Sequence, residues 1–318
     1  MNYIVTGCAG FIGSHLTDRL LENNNTVVGI DCFRDFYSRE IKKKNLEAAT
    51  QNPLFNLFEI DLSKDDLPDP ISVFEGESFI LFHLAAQAGV RKSWGSEFSV
   101  YIRDNIKVTQ RLLEWGLKSE ILRNFVFSSS SSVYGNIKEL PMKEDSTITR
   151  PYSPYGVTKL AAENLVSLYN KNFGLPAVSC RFFTVYGPRQ RPDMAFHKFI
   201  KAAINEQPIT IYGSGEQTRD FTYVSDITDG LIKASSQTNG SIYNLGGGAR
   251  VSVNQTLKII GDVIGQDLNI QYDEKKYGDV KDTWASNEKA MNEIYWKPSI
   301  DLHDGLSKQF NWYSNSAS

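Results

Sequence analysis

The chain has 318 residues, 41% of them hydrophobic, enough for one large domain or two coupled ones around a packed core. Its 34 basic and 37 acidic residues leave a net charge of -3 with no basic tail or stripe, which excludes nucleic acid as an expected partner. No apolar stretch approaches membrane-spanning length, and Asn2-Tyr3-Ile4-Val5-Thr6 enters a strand at once, so the expectation is a cytoplasmic protein without membrane attachment.

In chain order, short apolar runs at residues 3–6, 26–31, 55–61, 78–83, 124–128 and 177–181 read as strands. Apolar residues at helical spacing lie between them, as at 14–22, 100–117 and 160–172. This alternation predicts an α/β protein with a Rossmann-type, doubly wound parallel sheet. From about Thr184 the pattern loosens into turns and short elements, which predicts a smaller, interleaved C-terminal substrate-binding domain. The expected division is 1–183 for the dinucleotide-binding domain and 184–318 mainly for the substrate domain, with residues 220–246 returning toward the large sheet. Cys8, Cys32 and Cys180 have neither metal-ligand spacing nor an even count, and the four histidines stand singly, so neither a metal site nor a disulfide framework is expected.

Gly7, Gly10 and Gly13 follow the first strand and open the first helix, with Phe11 and Ile12 between the last two. Glycines there permit a tight turn and close backbone approach to a pyrophosphate, while the helix N-terminus presents free N–H groups and a favourable dipole. The spacing is G-x-x-G-x-x-G rather than G-x-G-x-x-G. Asp31 ends the second strand 18 residues after the last glycine, where an acidic side chain binds ribose hydroxyls and disfavours a ribose phosphate, so NAD is expected over NADP. Arg34 nearby argues in the other direction. Asp61 with Leu62, and Ala85-Ala86-Gln87, read either as adenine and ribose contacts or simply as strand ends.

Tyr155 is followed four residues later by Lys159, one turn along the same helix face, and the serine run Ser128 to Ser132 ends a strand upstream. A tyrosine has an ordinary pKa of about 10 and works as a base at neutral pH only where something stabilises its phenolate; the Lys159 ammonium is the expected source. Ser130 would hold the substrate oxygen whose proton Tyr155 removes. Tyr272 and Lys276 repeat the interval by chance, without the helix-opening Ser153-Pro154-Tyr155-Gly156 or a preceding strand.

These motifs, with Thr6-Gly7-Cys8-Ala9-Gly10-Phe11-Ile12-Gly13, His83-Leu84-Ala85-Ala86-Gln87, Ser132-Val133-Tyr134-Gly135 and Arg219-Asp220-Phe221, resemble the nucleotide-sugar epimerases among the extended short-chain dehydrogenase/reductases over nearly the whole chain. The resemblance implies that Tyr155 is the acid/base, Lys159 its modulator and nicotinamide-ribose contact, and Ser130 the hydroxyl orienting the sugar. It also implies that Arg91, Arg219 and Asp279 serve the substrate, and that the chain forms a homodimer through helices 100–117 and 160–172. Related dehydratases and decarboxylases carry an acidic residue just before the Val-Tyr-Gly; here Ser131 and Ser132 stand there, which favours simple 4-epimerisation.

The segment Arg181 to Pro188, with Thr184, and Arg191-Pro192-Asp193-Met194 resemble the UDP-glucuronate 4-epimerases. A ketone at carbon 4 lies beta to the carboxylate of a uronic acid and invites loss of carbon dioxide. Ser131, Ser132 and Thr184 are expected to hold that carboxylate, with Arg191 adding charge or gating the site. UDP-glucose or UDP-N-acetylglucosamine epimerisation, UDP-glucuronate decarboxylation and a non-catalytic NAD-binding regulator are the alternatives. Lys276 stands where relatives often have an arginine, replacing a bidentate phosphate clamp by a point charge.

Overall fold

The computed structural model describes residues 1–67, 74–145, 148–274 and 278–316. Seven strands form one parallel sheet: β1 (Asn2–Thr6), β2 (Thr26–Asp31), β3 (Phe55–Glu59), β4 (Phe79–His83), β5 (Leu122–Ser130), β6 (Ala177–Phe182) and β7 (Asn239–Leu245), in the order β7-β6-β5-β4-β1-β2-β3. Every neighbouring pair is parallel. Strand residues alternate between two apolar layers: Val5, Phe82, Val126 and Val178 face one, and Ile4, Leu81, Phe125 and Phe127 the other. Burial of both faces explains why these strands read as continuous apolar runs. The winding reverses between β1 and β4, and the crevice at their carboxyl ends is where open sheets of this kind bind ligands.

Two helices start at their sequence signals, and one departs from regular α geometry partway along. Helix α1 (Phe11–Glu22) begins directly after Gly10, within the glycine run that opens it, so the glycine turn is tight. The expected helix 100–117 is α-helical over Phe98–Tyr101, π-helical over Ile102–Lys107 and regular again in α2 (Val108–Leu117). Within the π segment Asn105 takes the backbone of Gln87, accepting from its N–H at 2.7 Å and donating to its carbonyl at 3.0 Å. Helix α3 (Pro154–Phe173) starts at the Ser153-Pro154 signal: Ser153 caps it, accepting from Gly156 N at 3.2 Å, and Pro154 has no N–H to satisfy in the first turn.

After β6 the chain forms three small strand pairs, of which Ile209–Tyr212 with Ile270–Asp273 is the longest, before and after β7 joins β6. None of the described helices is long and apolar enough to cross a membrane.

Candidate active site

At the carboxyl end of β1, Gly7 adopts φ +72°, and a Cβ there would lie 2.8 Å from Ala85 N. A Cβ on Gly13 would lie 2.1 Å from the Gly7 carbonyl oxygen. The turn therefore tolerates no side chain at either position, and α1 begins with no side-chain cap on its amides. Gly7, Gly10, Phe11, Ile12, Gly13, Asp31, Asp61, Leu62, Ala85, Ala86, Gln87, Tyr155 and Lys159 all line one cleft. A bare glycine turn, an uncapped helix start and an acidic strand end together fit a dinucleotide.

Asp31 is tied to the turn: its Oδ2 accepts from Ala9 N at 3.2 Å and its Oδ1 from Phe33 N at 2.8 Å. Burial raises its carboxyl above the usual range, partly offset by those backbone bonds and the Lys42 charge. Arg34, the residue that argued for a ribose phosphate, is held between Asp61 and Asp104, 3.2 Å from each. Its charge is already matched by carboxylates, leaving Asp31 to set the polarity of this end of the cleft.

The serine run is not a solvated loop. Ser128 Oγ donates to the His83 carbonyl at 2.8 Å, Ser129 Oγ to Glu163 at 2.5 Å, and Ser130 Oγ accepts from Ser132 N at 3.2 Å. β5 extends through Ser130, and a short turn over Ser131–Val133 swings the next two serines toward a second cavity. Burial pushes the Tyr155 phenol upward, while a Ser130 hydrogen bond and the Arg191 charge oppose it. Arg191 is thus a cation acting on that phenol that helical spacing did not reveal. Lys159 sits deeper, its Nζ 4.5 Å from the centre of the Phe127 ring; burial brings its ammonium down to about 7, opposed by the Glu163 charge.

Ser131, Ser132, Thr184, Arg219 and Asp279 line the second cavity with Tyr152 and Ser153, beside the start of α3. Arg91 lies outside both walls but pairs with Asp279 at 2.8 Å and stacks over Tyr212. Arg219 donates to the carbonyls of Thr218 and Lys281 at 2.8 and 3.1 Å. Arg191 projects into the first cleft, held by Asp193 at 3.0 Å. Arg189 instead points away and pairs with Asp18 at 2.6 Å. Lys276 lies outside the described residues; its chance partner Tyr272 is exposed and bonded to Asn254.

Sequence reasoning missed Asn105, Glu163 and Arg181. Asn105 carried no motif, because its work depends on the π segment. Glu163 did leave a signal, one helical turn beyond Lys159. Its carboxylate is buried with the Arg181 guanidinium at 2.6 and 2.9 Å. His83, in contrast, is structural: its ring is fixed between the hydroxyls of Thr6 and Thr109 at 2.9 and 3.0 Å, and burial followed by the Lys159 charge lowers it to about 3.

A dinucleotide cleft opening beside a Ser-Tyr-Lys constellation defines a short-chain dehydrogenase-type enzyme. Residues 3–246 match the NAD dependent epimerase/dehydratase family, and the chain belongs to it. The chain is 42% identical to an uncharacterized UDP-glucose epimerase, YtcB, of Bacillus subtilis (strain 168), over 99% of this chain and 98% of that one. It is 38% identical to a UDP-glucuronate 4-epimerase of Thermodesulfobacterium geofontis (strain OPF15), over 98% and 95%. The crystal structure of UDP-glucuronic acid 4-epimerase from Bacillus cereus, in complex with UDP-glucuronic acid and NAD, is 40% identical, with a TM-score of 0.93 over 99% of this chain and 100% of that one. The protein is thus an isomerase of the NAD-dependent UDP-sugar 4-epimerase group, and its cofactor is NAD.

Proposed function

We propose that the protein interconverts UDP-glucuronate and UDP-galacturonate. The cleft lined by Gly7, Gly10, Asp31 and Lys159 would hold NAD, which would supply reversible hydride acceptance at carbon 4 of the sugar. Tyr155 accepts the 4-hydroxyl proton and later gives it back, Ser130 orients that oxygen, and Lys159 supplies the charge that favours the phenolate. The observation that carries the substrate choice is the wall of hydroxyls, Ser131, Ser132 and Thr184, facing one cavity beside the start of α3. Three neutral donors suit a carboxylate and can hold its breaking bond out of line with the adjacent ketone. The acidic residue in that cavity, Asp279, is already paired with Arg91. Arg219, next to it, is available to the nucleotide part of the substrate, and Arg191 to the sugar end.

Incubation with UDP-glucuronate and separation of the sugar products tests this. UDP-galacturonate as the main product supports the reading; a pentose product replaces it with decarboxylation; no reaction replaces it with a neutral sugar, the reading favoured by the similarity to YtcB. Tight NAD binding with no turnover of any UDP-sugar would point to the regulator.

The division into a dinucleotide part, 1–183 with the 220–246 return, and a substrate part, 184–318, belongs to the same proposal, as does a homodimer. Val157 and Leu168 on α3 and Leu117 on α2 are exposed apolar residues on adjoining helices, suited to pairing with a second copy. Sedimentation as a monomer at micromolar concentration would contradict it. The three free cysteines support placement in the reducing cytoplasm.

A further inference from the structure

Behind the catalytic residues lies a buried ionic network that the proton-transfer scheme does not use. Glu163 and Arg181 are 2% and 4% exposed and joined by two hydrogen bonds of 2.6 and 2.9 Å. The carboxylate also accepts from Ser129 Oγ at 2.5 Å, the residue next to Ser130. Arg181 lies 4.6 Å over the Tyr134 ring, whose hydroxyl donates to Asn244 on β7 at 2.8 Å. A buried ion pair is a weak source of stability, because desolvation offsets most of its attraction. Its placement is more telling: Glu163 is one turn beyond Lys159 and two beyond Tyr155, on the helix face turned toward β5 and β6.

We propose that Glu163 is a positioning residue: clamped by Arg181 and Ser129, its carboxylate keeps the Lys159 ammonium charged and fixes the strand end that carries Ser130. The inference rests on Tyr155 and Lys159 acting as proposed above. Lys159 is surrounded by the neutral ring of His83 on β4, the Phe127 ring on β5, and Tyr155 and Glu163 on its own helix. Glu163 is the only anion acting on it among the described residues. Burial alone favours the uncharged amine, which cannot stabilise a phenolate. Arg181 in turn holds the carboxylate in place through its two hydrogen bonds, so that the pair presents it at a fixed position one turn from Lys159.

The test is the pH profile of kcat with whichever UDP-sugar the wild-type protein epimerises, for Glu163→Gln, Glu163→Asp and Tyr155→Phe. Loss of the carboxylate lowers the Lys159 pKa, so activity that needs the ammonium is lost earlier as pH rises. The high-pH limb of Glu163→Gln moves down by about one unit, with kcat reduced about tenfold above it and KM nearly unchanged. Glu163→Asp keeps the limb where it was while kcat falls, because charge is retained and reach is not. If Glu163→Gln does not fold, Glu163→Gln/Arg181→Met removes the stranded guanidinium and shows the same shifted limb. A limb unmoved in Glu163→Gln or in the double variant, or equal losses in Gln and Asp with both limbs in place, overturns the proposal. Full activity in Tyr155→Phe would instead remove the catalytic assignment beneath it.

Discussion

Replacing Gly13 with alanine should damage both the fold and cofactor binding through one contact. The added Cβ would sit 2.1 Å from the Gly7 carbonyl oxygen, where ordinary contact begins at 3.4 Å, a shortfall of about 1.3 Å. That carbonyl cannot swing aside, because it accepts from Gly10 N at 3.1 Å while Gly7 N donates to Ile30 O at 2.7 Å. Either α1 slides away from β1 or the turn opens. Overpacking of this size costs about 1–3 kcal/mol, a fall in Tm of roughly 2–10 °C for a chain of this length. Both rearrangements also displace the amides that would meet the pyrophosphate, and losing about 1.4 kcal/mol there weakens the Kd for NAD about tenfold. Gly10→Ala is the control. Its Cβ would lie 3.1 Å from the same oxygen, a much smaller intrusion, so Tm should hold while NAD binding falls. Calorimetric titration with NAD and thermal unfolding of both variants decide the matter. A Gly13→Ala protein with wild-type Tm and Kd would refute the packing account of this turn.

Tyr155→Phe should lower kcat by about 10²–10⁴ while NAD still binds, measured by product formation and calorimetry; a loss under tenfold would contradict a proton-transfer role. Lys159→Met should abolish turnover yet raise stability at pH 7 by roughly 1–4 kcal/mol, since the folded state holds this ammonium well below its ordinary pKa of 10.5. With the folded pKa depressed to about 7, the unfolded chain binds more protons between pH 7 and 10.5, so the wild type gains stability across that window and the gap to Lys159→Met narrows. Denaturation curves at pH 7 and 9 showing a constant gap would count against it. Asp104→Ala releases one side of the clamp on Arg34 and should shift the ratio of NADP to NAD affinity toward NADP by up to about fivefold. An unchanged ratio would show that Arg34 has no part in coenzyme choice.

Much of this was legible in the residues, for reasons that can be named. β1, β4 and β5 are apolar on both faces, so their sequences could hardly mean anything but buried parallel strands. The glycine turn and the Ser153-Pro154 start of α3 are short-range signals whose geometry depends on few neighbours. What escaped depends on distant partners. The π segment forms where Asn105 meets Gln87, 18 residues away. Glu163 becomes a clamp only when β6 brings Arg181 beside it. The influence of Arg191 on the Tyr155 phenol escaped because that side chain enters the cleft from a segment distant in sequence, where helical spacing gives no signal.

The joining of β7 to β6 has a consequence for how the chain can be made. Cutting after the sixth strand would seem to yield a tidy nucleotide-binding fragment, but it would strip the outer partner from β6 and bare its row of amides and carbonyls. During synthesis the same open edge persists until residue 245 has left the ribosome, about sixty residues after β6 emerges. Over that interval the nascent chain is at its most vulnerable to pairing with another copy of itself.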